Sequence, residues 1–275
     1  MNITLGTSRM AAVVALIAVW TLTAFSQPPR LIIERILTPA VAQQQHLGIL
    51  RPDIAFTPNG VAVVGDGDKL WAVGADGALR IAGVRNAYSF AIAPQGLLVV
   101  ISGKSLLYLD PFSRTLKPIF DLPFPGMSIV SENQDSFFLF GPDGAKGFAL
   151  YELLPGRKVV KVVDTPRPIT GVTRLADDVL IVSGGALFAV YQNSLRLLAG
   201  EIGGKLRSVA ADSTARQIFV SDDKSIFAIH QDKVVPLVGD LGGELRWQSG
   251  GLLVFNPTQR SVARLVNLTE TEAAP

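Results

Sequence analysis

VLIVSGGALFAVYQNSLRLLAG, residues 179–200, holds three short apolar strands joined by tight turns: VLIV from Val179, ALFAV from Ala186 and LRLLAG from Leu195. The same signature recurs along the chain. VAVV from Val61, LLVV from Leu97, FFLF from Phe137, IFV from Ile218 and LLVF from Leu252 align with VLIV. LWAV from Leu70, LLYL from Leu106, FALYEL from Phe148 and SIFAI from Ser225 align with ALFAV. LRIAGV from Leu79, LKPIF from Leu116, KVVKVV from Lys158 and KVVPLVG from Lys233 align with LRLLAG. A further strand precedes each set, starting near Asp53, Ser89, Met127, Ile169, Leu206 and Glu244, which gives a repeat of about 38 residues. Four short strands at this period mark a propeller blade. The sequence predicts an all-β, six-bladed β-propeller with four antiparallel strands per blade.

Turn chemistry agrees with this register. Asp76-Gly77 stands where a two-residue hairpin turn wants a positive φ, and Pro58-Asn59-Gly60 and Pro94-Gln95-Gly96 take the same turn in successive repeats. A ring must join its first and last blades or leave sheet edges exposed. The sixth repeat offers Glu244–Gln248, Leu252–Phe255 and Val262–Val266, with too few residues for a fourth strand. The expectation is therefore closure by an N-terminal strand at His46–Leu50, HLGIL, which places the propeller at residues 46–268 and a small acidic tail, expected to be disordered, at 269–275.

Ahead of the propeller, Met10–Phe25 is free of charge, follows the single cation Arg9 and ends at a polar boundary. That pattern describes a secretory signal over residues 1–26, with cleavage after Ser26 or after Ala42. The alternative is an uncleaved membrane anchor, and in both cases residues 27–45 read as a linker. The protein is expected in the periplasm or outside the cell, or anchored in the inner membrane with its propeller in the periplasm.

Composition excludes several chemistries. The chain has no cysteine, which removes disulfides, thiolate metal sites and a cysteine nucleophile, and His46 and His230 are its only histidines. With 25 basic and 23 acidic residues the net charge is +2, with no basic cluster of the kind that nucleic acid needs. Neither a G-x-S-x-G elbow nor a phosphate-binding G-x-x-x-x-G-K-[ST] loop occurs. No catalytic residue is assigned and no cofactor is expected.

Cations do recur at one place in the repeat. Arg51, Arg85, Arg167, Arg207 and Arg246 stand at or just before first strands, with Trp247 interleaved, and such loops share the face around the axial channel. Guanidinium groups gathered there favour carboxylate or phosphate ligands.

Ile54-Ala-Phe-Thr-Pro-Asn-Gly60, Ile218-Phe-Val-Ser-Asp222 and Ser225-Ile-Phe-Ala-Ile229 resemble blades of the NHL-repeat and gluconolactonase/senescence-marker propellers, over roughly residues 46–268. That resemblance implies one divalent cation, such as calcium, held at the axis by a Glu, an Asn and an Asp. Asp222, in the step Ser221-Asp222, matches the Asp. The place of the Asn reads Arg207-Ser208-Val209-Ala210, and the first blade opens on Arg51-Pro52-Asp53 without a Glu-Gly-Pro motif. The leading expectation is thus an exported, non-catalytic propeller that binds a protein or cell-envelope ligand, anionic in character, on its axial face. A metal-dependent, gluconolactonase-like hydrolase with an altered site is the alternative.

Overall fold

Each aligned apolar run is a strand in the computed structural model, because alternate side chains of one strand bury on opposite sides. Val179 and Ile181 pack with Phe138 and Phe140 of the third blade, whereas Leu180 and Val182 pack with Val209 and Val220 of the fifth. A strand buried on both faces reads as an unbroken apolar run rather than as an alternation. The structure describes residues 31–268 apart from 49, 58, 60, 75–76, 84–86, 94, 111, 114, 132–135, 145–146, 157, 201, 203, 231–232 and 249. Residues 1–26, expected as a secretory signal or membrane anchor, the tail 269–275 and Arg85 lie outside the described residues.

There are six four-stranded antiparallel sheets. In the first, Leu50–Phe56, Ala62–Asp66, Lys69–Gly74 and Gly77–Gly83 follow in chain order. The inner strands of the other five are Ala87–Ile92, Ser128–Ser131, Ile169–Leu175, Ser208–Asp212 and Glu244–Gln248. Successive blades touch through these inner strands, except that the third meets the fourth through Phe137–Pro142 and Phe148–Leu154 against Ile169–Leu175 and through Lys158–Thr165 against Ser194–Ala199. The residues flanking the two Pro-x-Gly stretches pair alike: Thr57 N–H donates to Val61 O and Ala93 N–H to Leu97 O, both at 2.9 Å. Residues 32–266 are one compact unit. Of the second unit only residues 31, 267 and 268 are described, and they have no regular secondary structure.

The ring is closed by an N-terminal strand, as expected, but a different one. Ile32–Leu37 pairs antiparallel with Ser261–Val266, from Ile32 opposite Val266 to Leu37 opposite Val262. His46–Leu50 does not form the closing strand. Thr38 caps a short helix, Pro39–Gln44, by accepting Val41 N–H, and His46 at φ 54° turns the chain out of it. Gly48 N–H then donates to the Asp66 carboxylate at 3.0 Å, and Leu50 already opens the inner strand of the first blade. The apolar residues of this segment serve as a plug instead: Leu37, Ala42, Leu47 and Leu50 are buried with Val64 of the first blade and Phe255 and Val262 of the last. The propeller therefore begins at Ile32, inside the stretch expected as a linker.

Candidate functional site

At one rim of the ring the inner strands of blades three, five and six begin on Ser128, Ser208 and Glu244. Ser89 and Ser208 are fully buried and tie blades together. The Ser89 hydroxyl donates to the Asp53 carboxylate at 3.1 Å and accepts Ile129 N–H at 3.0 Å, joining blades one, two and three. Ser208 accepts Leu245 N–H at 2.9 Å, joining blades five and six. These bonds fix the rim on which a cleft of about 570 Å³ opens over blades three to six and reaches Asp53 of the first.

Four cations line that cleft: Arg167, Lys205, Arg207 and Arg246. Two are set by the hairpin Gly184-Gly185. Its bonds run from Gly184 N–H to Pro168 O at 3.3 Å and from Leu206 N–H to Gly185 O at 3.1 Å. A Cβ on Gly184 would lie 2.3 Å from Arg167 Cδ, and one on Gly185 would lie 3.2 Å from Lys205 Cβ. The side chains of Arg167 and Lys205 lie against the space that these two glycines leave. Among the described residues no ion pair ties either cation.

Arg207 is held differently, between two carboxylates. Its Nε donates to Glu244 Oε1 at 3.3 Å, and its Nη1 donates to Asp223 Oδ1. The two acids differ in environment: the Glu244 side chain is 10% exposed and that of Asp223 is 74% exposed. Burial pushes the Glu244 carboxyl above its ordinary range, against the opposing pull of Arg246 and Arg207. Arg246 donates through Nη1 to Leu245 O at 2.7 Å and borders both this cleft and a second cavity.

No known protein-family profile matches this chain, and no curated protein matches it by sequence. Solved structures do. A gluconolactonase from Xanthomonas campestris superposes with a TM-score of 0.63 at 14% identity, over 87% of this chain and 96% of that one. A second protein assigned as a gluconolactonase gives 0.64 at 12% identity, over 87% and 93%. U3-55K gives 0.55 at 13% identity, over 78% and 80%. What they share is the propeller. At these identities the likeness extends to the fold and no further, because one scaffold carries many activities.

Asp222, the residue that the family resemblance would assign to a cation, is committed to a turn. Its Oδ1 accepts the N–H groups of Lys224 at 2.8 Å and Ser225 at 2.6 Å, and its backbone O accepts Gly243 N–H at 3.0 Å. The neighbouring Asp223, not Asp222, reaches the cleft. A hard cation wants several oxygen ligands. Here the guanidinium of Arg207 stands between the carboxylates, and no group of three His, Cys, Asp or Glu suited to a metal occurs among the described residues. The donor set does not fit the divalent cation that the family resemblance implies.

Of the expected arginine ring, Arg167, Arg207 and Arg246 come together in the cleft. Arg51 lies on the inner strand of the first blade, and its side chain, like the whole of Arg85, is outside the described structure. Trp247 lies elsewhere. It stacks on Phe219 with centroids 5.5 Å apart at 12° and lines a cavity of about 340 Å³ with Ile92, Ile129 and Gln248. That cavity sits where the inner strands end, whereas the cleft sits where they begin. Lys205 is a cleft residue that the repeat alignment missed, although it stands two positions before Arg207 on the same segment.

Proposed function

We propose that this chain is an exported propeller whose rim cleft binds a cell-envelope ligand carrying carboxylate or phosphate groups, without catalysing a reaction on it. Arg167 and Lys205 carry this reading: two cations with no ion pair among the described residues, beside Arg207 and Arg246 in a cleft of about 570 Å³. Clustered cations in a low-dielectric cleft raise the local concentration of anions, and a guanidinium grips a carboxylate or phosphate through paired N–H donors. Export rests on the apolar segment Met10–Phe25.

Calorimetric titration of the full chain with inorganic phosphate and with citrate, at low and at physiological salt, tests the reading. Binding should weaken with salt. Charge-assisted hydrogen bonds contribute about 1.5–3 kcal/mol each, so Arg167→Ala with Lys205→Ala should lower affinity by roughly a hundredfold or more. Equal binding by the wild type and the double variant overturns it. A metal-dependent hydrolase is the second reading, suggested by the gluconolactonase names of two fold neighbours and by the cation that the family resemblance implies, and a melting shift with calcium that Asp222→Ala abolishes would restore it.

A further inference from the structure

Arg207 has two partners of unequal permanence, and the difference bears on what the cleft holds. Glu244 takes the Nε edge of the guanidinium from a buried position, fixing the side chain in the cleft wall. Asp223 takes Nη1 from the rim, on the turn Asp222–Ser225 that the Asp222 carboxylate caps. An ion pair with one partner so exposed contributes little and is readily exchanged, whereas a buried one is costly to break. Nearby, Arg167 and Lys205 lie against the Gly184-Gly185 hairpin with no ion-pair partner among the described residues.

The cleft thus has two anion subsites, one without a paired acid and one occupied by an acid of the protein itself. We infer that its ligand is a dianion: one anionic group sits on Arg167 and Lys205, and the second displaces Asp223 from Arg207. Asp223 is a stand-in for the second group and sets the preference for two charges over one. No bond is made or broken in the exchange. One carboxylate replaces another on Nη1, and Asp223 swings into solvent. This rests on the anion-binding reading above and goes beyond it in naming the ligand class.

The test is calorimetric titration of the full chain with glutarate and with butyrate, a dicarboxylate and a monocarboxylate, at physiological salt. The readout is the ratio of their affinities in the wild type, Asp223→Asn and Arg207→Ala. Glutarate should bind the wild type roughly tenfold more tightly than butyrate. Asp223→Asn, a change at an exposed position that leaves the Arg207–Glu244 pair in place, should raise the ratio by roughly two- to fivefold. Arg207→Ala should bring it close to one. If that variant does not fold, Asp223→Asn alone still decides. Equal affinities that Asp223→Asn leaves unchanged overturn the dianion inference and leave the anion-binding reading standing. Binding of neither acid overturns the dianion inference, and overturns the anion-binding reading with it where phosphate and citrate also fail to bind.

Discussion

The hairpins Ser102–Ser105 and Ser183–Ala186 link the second and third strands of blades two and four, and each has a glycine in the left-handed region at its first turn position. Gly103 is at φ 63° and Gly184 at φ 59°. Replacing either with alanine brings a Cβ into a conformation that costs about 1–2 kcal/mol. For a domain of this size that lowers Tm by about 2–8 °C. The surroundings then separate the two variants. Nothing lies within 4 Å of a Cβ at Gly103, whereas one at Gly184 meets Arg167 Cδ at 2.3 Å, far inside van der Waals contact. Arg167 must turn away from the hairpin and withdraw from the cleft. Gly103→Ala should melt early and bind anions normally. Gly184→Ala should melt early by a similar amount and lose roughly 10- to 100-fold in glutarate affinity, the loss expected for one charge-assisted contact. Scanning calorimetry and titration on the same samples measure both quantities. Unchanged glutarate binding by Gly184→Ala refutes the placement of Arg167, and a melting point unaffected in Gly103→Ala refutes the backbone argument.

Glu244 has a folded-state pKa raised by burial, so the stability it contributes is fully present below its unfolded value near 4.5 and is lost as pH rises through the folded value. Glu244→Gln should flatten the stability–pH curve above 4.5; denaturant midpoints that keep the wild-type slope there argue against it. The opposite dependence of Asp110, held down to about 2 by Lys117, begins only below 3.8 and does not overlap. A chain starting at residue 46 lacks the closing strand and the buried Leu37 and Ala42, and leaves Ser261–Val266 as an open edge. It should melt below a chain starting at residue 31 and self-associate with concentration; equal melting of the two would remove Ile32–Leu37 from the ring.

The blade register was readable because both signals behind it are local: apolar runs of strand length, and turns with their own residue preferences. The closing strand carries neither. IIERIL is largely exposed, and its partner Ser261–Val266 stands at the far end of the chain, so no turn points to it. HLGIL looked more like a strand because its leucines are buried, but burial came from plugging the seam between blades rather than from a ladder. For the cleft, the position of Arg167, Arg207 and Arg246 in the repeat was enough to bring them together. Repeat position could not say that Trp247, one residue beyond Arg246, lines the other end of the channel. Nor could it show that Asp223 and Glu244 grip Arg207 from opposite edges, since that depends on which carboxylate is buried.

Pairing Ile32 with Val266 also governs the order in which the molecule assembles. The closing strand is the first part of the propeller to be synthesised and its partner the last, so the final ladder is the contact of greatest sequence separation in the fold. Loop closure over such a length adds little to the equilibrium cost, since each doubling contributes only about 0.6 kcal/mol. Its effect falls on rate, because distant strand pairings form slowly. Until the sixth blade is complete, Ile32–Leu37 has no partner and the outer edge of that blade has no cover. An unfinished chain is therefore an open fan, and ring closure is expected as its last folding event.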